Sequence, residues 1–70
     1  GRFFKIYTNK KISEFINELR VMEAARKLRE SSANIIEIAF SVGFESLPTF
    51  NRAFMKVMNV TPTQYRGEKA

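Results

Sequence analysis

The sequence predicts an all-α chain, and three observations carry that prediction. Apolar residues recur at three- and four-residue steps from Ile12 to Leu28, the period of a helix with one buried stripe. Asn34 to Glu37 and Thr61 to Gln64 each read as a capping box, the local start signal of a helix. Gly43 falls between two short helical patterns, where the chain must reverse and a positive φ is needed.

Composition narrows the class further. Seventy residues make a single domain at most, burying about 60% of the unfolded surface. The supply of core is adequate, with 44% apolar residues and seven Phe. The chain contains no Cys, no His and no Asp. Disulfide frameworks, zinc sites, Ser-His-Asp catalysis and most general-base schemes lack their usual parts, so neither an enzyme nor a cofactor is expected. Twelve Lys and Arg stand against seven acids, a formal charge of +5, which suits a polyanionic partner. No apolar run approaches the ~20 residues of a membrane span, and no signal peptide opens the chain, so a cytoplasmic setting is expected.

The elements follow in order. Residues 1–9 read as the end of a helix, with Phe3, Phe4 and Tyr7 on one side and no residue before them to cap it. The sequence therefore reads as starting inside a longer protein, with Asn9 closing this segment in a left-handed conformation. Residues 11–31 form the longest pattern, a linker helix whose ordered part is a rod of about 28 Å. Ile12, Phe15, Ile16, Leu19, Met22, Ala25 and Leu28 make its expected inward stripe. Charged residues occupy its other faces, with Glu23–Lys27 and Arg26–Glu30 as i,i+4 pairs.

Residues 34–59 hold two short helices. Ile35, Ile38, Ala39 and Val42 point inward from the first, and Gly43 stops it. Ser46 is the next cap, and Pro48 falls in the first turn, where its missing N–H removes no helical bond. Leu47, Phe50, Phe54 and Val57 or Met58 supply the buried stripe of the second, and Asn59 ends it. A last helix occupies residues 61–68, with Pro62 at its first position.

Two short helices about a Gly-centred turn, the second with a polar front, describe a helix-turn-helix, here in a homeodomain-like three-helix form preceded by the long linker helix. Ala39 is small enough for a close helix crossing, and Gly43 allows the turn. Phe50 and Phe54 anchor the back of the second helix, leaving Pro48, Asn51, Arg52 and Met55 in front, with Leu47 and Lys56 at the margins. Arg pairs bidentately with guanine and Asn with adenine, so this front suits the major groove of double-stranded DNA. The Met residues need no cofactor to explain them.

Four blocks then occur in order. They are Arg20-Val21-x-x-Ala24-x-x-x-Leu28; Ile35-x-Glu37-Ile38-Ala39-x-x-Val42-Gly43-Phe44-x-Ser46; Phe50-x-Arg52-x-Phe54; and Thr61-Pro62-x-x-Tyr65-Arg66. Together they closely resemble the AraC/XylS family, from Arg2 to Arg66. The resemblance implies a bacterial transcription regulator with two helix-turn-helix units joined by a long helix and set in neighbouring major-groove segments. Residues 34–59 would be the second unit, and residues 1–9 the remnant of the first unit's recognition helix. It further implies that an effector or dimerisation domain lies in another part of the protein.

Carried over by position, the DNA-facing residues resemble Leu47, Pro48, Asn51 and Arg52, with Lys56 as a phosphate contact and Arg2 facing base or phosphate from the first unit. Leu47 and Pro48 depart from the polar residues common there; they can touch a thymine methyl but cannot hydrogen-bond a base edge. Met55 stands where relatives commonly have a basic residue. Arg20 reads as structural, and Arg66 is open between capping carbonyls and contacting DNA. The alternative from a different class is a helical protein-interaction module that contacts RNA polymerase or a partner domain through the long helix.

Overall fold

The computed structural model describes residues 9–69, with side chains from Lys11 to Gly67. Four helices follow one another: α1 Asn9–Glu30, α2 Ile35–Ser41, α3 Leu47–Met58 and α4 Pro62–Lys69. No strand occurs among the described residues. The expected remnant over residues 1–8, and Arg2 with it, lies outside them. Asn9, expected to end a preceding helix, is instead the first residue of α1.

The core forms where the second half of α1 meets the other three helices. Val21, Ala24, Ala25 and Leu28 of α1 are buried with Ile38 and Ala39 of α2, Phe44 of the turn, Phe50 and Phe54 of α3 and Tyr65 of α4. Four aromatic rings run through it as a ladder. Phe44 meets Phe50 at 5.3 Å between centroids, Phe50 meets Phe54 at 5.6 Å, and Phe54 meets Tyr65 at 5.6 Å. All three are tilted or edge-on, the arrangement in which ring edges meet ring faces favourably. The ladder ties the turn and the last helix to α3 and holds α3 from behind.

The stripe predicted for α1 is corrected here. Ala25 and Leu28 are buried, but Ile12, Phe15, Ile16, Leu19 and Met22 are exposed, by 39% at Ile16 and 61% at Met22. The reason is helical geometry. A helix turns about 100° per residue, so each step of three falls about 60° short of a full turn. Leu19 and Leu28, nine residues apart, therefore stand on opposite sides of α1. The core-facing seam is Val21, Ala24, Ala25 and Leu28, where the two alanines let α2 and α4 come close. Continued towards the N-terminus, that seam reaches Asn17 and Glu14, which are polar and half-buried. Met55 is likewise exposed (42%), so only Met58 of the three Met residues packs against the core.

Local signals set the helix ends. Asn34 Oδ1 accepts from Glu37 N–H at 2.9 Å, although Glu37 makes no return bond. The Thr61 box closes in both directions: Gln64 N–H donates to Thr61 Oγ1 and Thr61 N–H to Gln64 Oε1, each at 3.0 Å. Asn59 adopts the left-handed conformation expected of it, with φ 65°. Asn34→Ala is expected to cost about 1 kcal/mol of stability, read as a shift in the urea midpoint.

Charged groups pair mostly on the surface. Arg26 binds both Glu23 and Glu30, so Glu23 pairs with Arg26 and not with Lys27 as the i,i+4 rule suggests. The hydrogen bond donated by Arg26 holds the Glu23 carboxyl below its ordinary pKa. Arg66 resolves as structural. Its Nη2 donates to Ser31 O at 3.0 Å and its Nε to Leu28 O at 3.4 Å, so it caps the end of α1 from α4. Beside it, Arg29 donates to the Tyr65 hydroxyl at 2.6 Å.

Candidate nucleic-acid interface

The turn between α2 and α3 decides where α3 points. Gly43 has φ 111°, and two backbone bonds close the end of α2: Gly43 N–H to Phe40 O at 3.1 Å and Phe44 N–H to Ala39 O at 3.0 Å. This is the Schellman arrangement, which satisfies the last carbonyls while the chain reverses. Arg20 lies across the turn. Its guanidinium sits 5.9 Å from the Phe44 ring centroid, within cation–π range, and packs against Gly43. That contact makes Arg20 a structural residue, in line with its sequence reading.

Ser46 then starts α3, its hydroxyl accepting from Thr49 N–H at 3.4 Å and donating to Thr49 Oγ1 at 3.0 Å. Phe50 and Phe54 are wholly buried, and Val57 packs beside them. At helical spacing, the opposite side of α3 must then be free. Pro48, Asn51, Arg52, Met55 and Lys56 are indeed all exposed. Asn51 and Arg52 make no hydrogen bond or ion pair with other described residues, so their donors and acceptors are open to a partner.

Two of the expected residues stand differently. Leu47 is half-buried against the core, at the edge of the exposed face, and offers only part of its side chain to a partner. Lys56 is exposed but engaged: its Nζ lies 3.5 Å from Glu14 Oε2 of α1. Three further residues border the face and escaped the sequence reading. Thr49 is exposed on the first turn of α3, one turn before Arg52, and its Oγ1 accepts from the Ser46 hydroxyl. Glu14 and Asn17 of α1 line a groove of about 280 Å³ against Ala53, Lys56 and Val57. The repeat Glu14, Asn17, Val21, Ala24, Leu28 is the signal that finds them, once the seam of α1 is drawn correctly.

No group of His, Cys, Asp or Glu among the described residues is placed to hold a metal ion. No described helix is long and apolar enough to cross a membrane. What remains is a short helix and a longer one about a tight glycine turn, the second buried behind and polar in front, and that arrangement defines a helix-turn-helix domain.

The comparisons agree. The family described as a helix-turn-helix domain matches residues 1–68, and the chain belongs to that family, in its AraC-type branch. Among curated proteins, it is 38% identical over 65 residues to "Probable transcription factor PqrA" of Proteus vulgaris, covering 93% of this chain and 53% of that protein. It is 42% identical over 63 residues to "Histidine kinase P4" of Formosa agariphila, covering 90% of this chain and 5% of that protein. With "Regulatory protein SoxS" of Salmonella typhimurium the identity is 35% over 65 residues, covering 93% and 61%. The chain thus spans about half the length of PqrA and a small fraction of the kinase. No solved structure matches it significantly.

Proposed function

We propose that this chain is the DNA-binding part of a bacterial transcription regulator, which lays α3 in the major groove of double-stranded DNA and reads sequence there. The observation that carries this reading is the pair Asn51 and Arg52, exposed and uncommitted on a helix whose back is locked by Phe50 and Phe54. Arg52 is suited to the O6 and N7 edge of guanine, and Asn51 to adenine. Pro48 and the exposed part of Leu47 offer apolar contact to a thymine methyl, and Lys56 offers a phosphate contact. The similarity to PqrA, named a probable transcription factor, and to SoxS, named a regulatory protein, supports the same role.

The remaining assignments belong to this proposal. Residues 34–59 act as a second helix-turn-helix unit, α1 as the linker, residues 61–68 as a closing helix, and residues 1–8 as part of a first unit in which Arg2 contacts DNA. The exposed face of Ile12, Phe15, Ile16, Leu19 and Met22 supports a packed neighbour on the first half of α1. The setting is the bacterial cytoplasm, and a sensor or dimerisation domain lies elsewhere in the protein. A protein-interaction module that binds RNA polymerase without touching DNA would leave Asn51 and Arg52 without a task. Salt separates the two readings, since binding through phosphates weakens steeply with ionic strength and an apolar interface does not.

The test is Arg52→Ala in the intact protein on a duplex selected from a random pool. Affinity is expected to fall by about 1–3 kcal/mol, and preference at one base position to relax. An unchanged binding isotherm would remove Arg52 from the reading face.

A further inference from the structure

We propose that Glu14 tunes the affinity and salt dependence of the DNA-binding surface, as a carboxylate on the linker helix that competes with DNA phosphate for Lys56. The proposal rests on the DNA-binding reading above and deepens it. Glu14 lies seven residues, two helical turns, before Val21, so it continues the side of α1 that faces α3. Its carboxylate reaches Lys56 across the groove, Nζ to Oε2 at 3.5 Å. Lys56 follows Arg52 by four residues, so the two cations form one ridge along α3, with Lys56 on the flank nearer α1.

The charge balance on that flank is unusual for this domain. The chain carries +5 overall, yet the groove beside Lys56 is lined by two carboxylates, Glu14 and Glu18, against one cation. A phosphate that engages Lys56 must displace or approach Glu14. The existing pair is easily broken, because the Lys56 side chain is 73% exposed and exposed pairs are weak. Glu14 therefore does not lock Lys56; it lowers what Lys56 gains from a phosphate. Arg52, with no carboxylate among the described residues bonded to it, carries no such handicap. Phosphate contacts hold DNA of any sequence, whereas Asn51 and Arg52 discriminate. Glu14 therefore lowers affinity for DNA of any sequence by about the same factor and leaves the discrimination by Asn51 and Arg52 as it stands.

A double-mutant cycle in the intact protein tests this, using a random-sequence duplex over a range of KCl concentrations. Glu14→Gln is expected to tighten binding about three- to tenfold at low salt. It should steepen the fall of log Kobs with log[KCl] by up to about 0.9, one phosphate's worth. Lys56→Gln should weaken binding and flatten the slope. In the Lys56→Gln background, Glu14→Gln should change affinity less than about twofold, because the competition has been removed. Equal tightening in both backgrounds would mean that Glu14 acts only as diffuse charge, and the proposal would fail. No tightening in either background, with urea midpoints unchanged, would also overturn it while leaving DNA binding intact. Absence of salt-dependent binding by the unmutated intact protein would bring down the DNA reading itself, and this inference with it.

Discussion

Phe54→Ala is expected to remove about 3–5 kcal/mol, a large share of the stability of a domain this size. Phe54 is wholly buried at the middle of the ring ladder, touching Phe50 on one side and Tyr65 on the other. Its truncation removes the transfer energy of a phenyl ring, opens a cavity and strips two ring–ring contacts, a loss of about 3–5 kcal/mol. A domain of this size holds only about 4–10 kcal/mol in total. The core has little means of closing the gap, since Val21, Ala24 and Ala25 opposite are small and already buried. Urea unfolding followed by far-ultraviolet circular dichroism measures the effect. Phe54→Leu should retain a cooperative transition at a lower midpoint. A loss below about 1 kcal/mol for the alanine variant would show that the ladder is not what holds α3.

The second large effect is expected at Gly43, where two costs coincide. Its φ of 111° lies where a side chain is strained, and a Cβ there would stand 2.9 Å from Arg20 Nε. Gly43→Ala should therefore lose about 1–3 kcal/mol. The two costs can be separated, because the arginine is flexible and the backbone is not. Arg20→Ala removes the steric part along with the cation–π contact to Phe44, and the φ penalty stays. A double-mutant cycle should accordingly show Gly43→Ala costing less in the Arg20→Ala background, but still costing. The variant should also bind DNA less well than its residual fold allows, since the Schellman turn sets the angle at which α3 leaves α2. A Gly43→Ala protein of native stability would mean that the turn relaxes to a different geometry.

The helix ends were legible before any tertiary contact was known. Asn34, Ser46, Thr61 with Pro62, Gly43 and Asn59 each act within about four residues, through a side-chain cap or a positive φ. The front of α3 was legible for a related reason. Its two Phe residues stand one turn apart on the same side, so burying Phe50 and Phe54 forces Asn51 and Arg52 outward.

The face of α1 was not legible. That helix carries apolar residues on opposite sides in its two halves, so periodicity alone joined Ile12 to Leu28 in one stripe. Only the packing of α2 to α4 on Val21, Ala24, Ala25 and Leu28 distinguishes the two sides. The groove escaped with it, because Glu14 and Lys56 meet across 42 positions of sequence. Arg66 capping Leu28 and Ser31, and Arg29 reaching Tyr65, belong to the same class.

By itself, then, the sequence determined the helices after α1, where they start and stop, and the residues that α3 turns outward, because those depend on interactions a few residues long. The start of α1 at Asn9 it did not determine. The tertiary structure decided the rotation of α1, the engagement of Lys56 by Glu14 and the structural role of Arg66. These depend on which surfaces come together in space, and no local pattern encodes a partner on another helix.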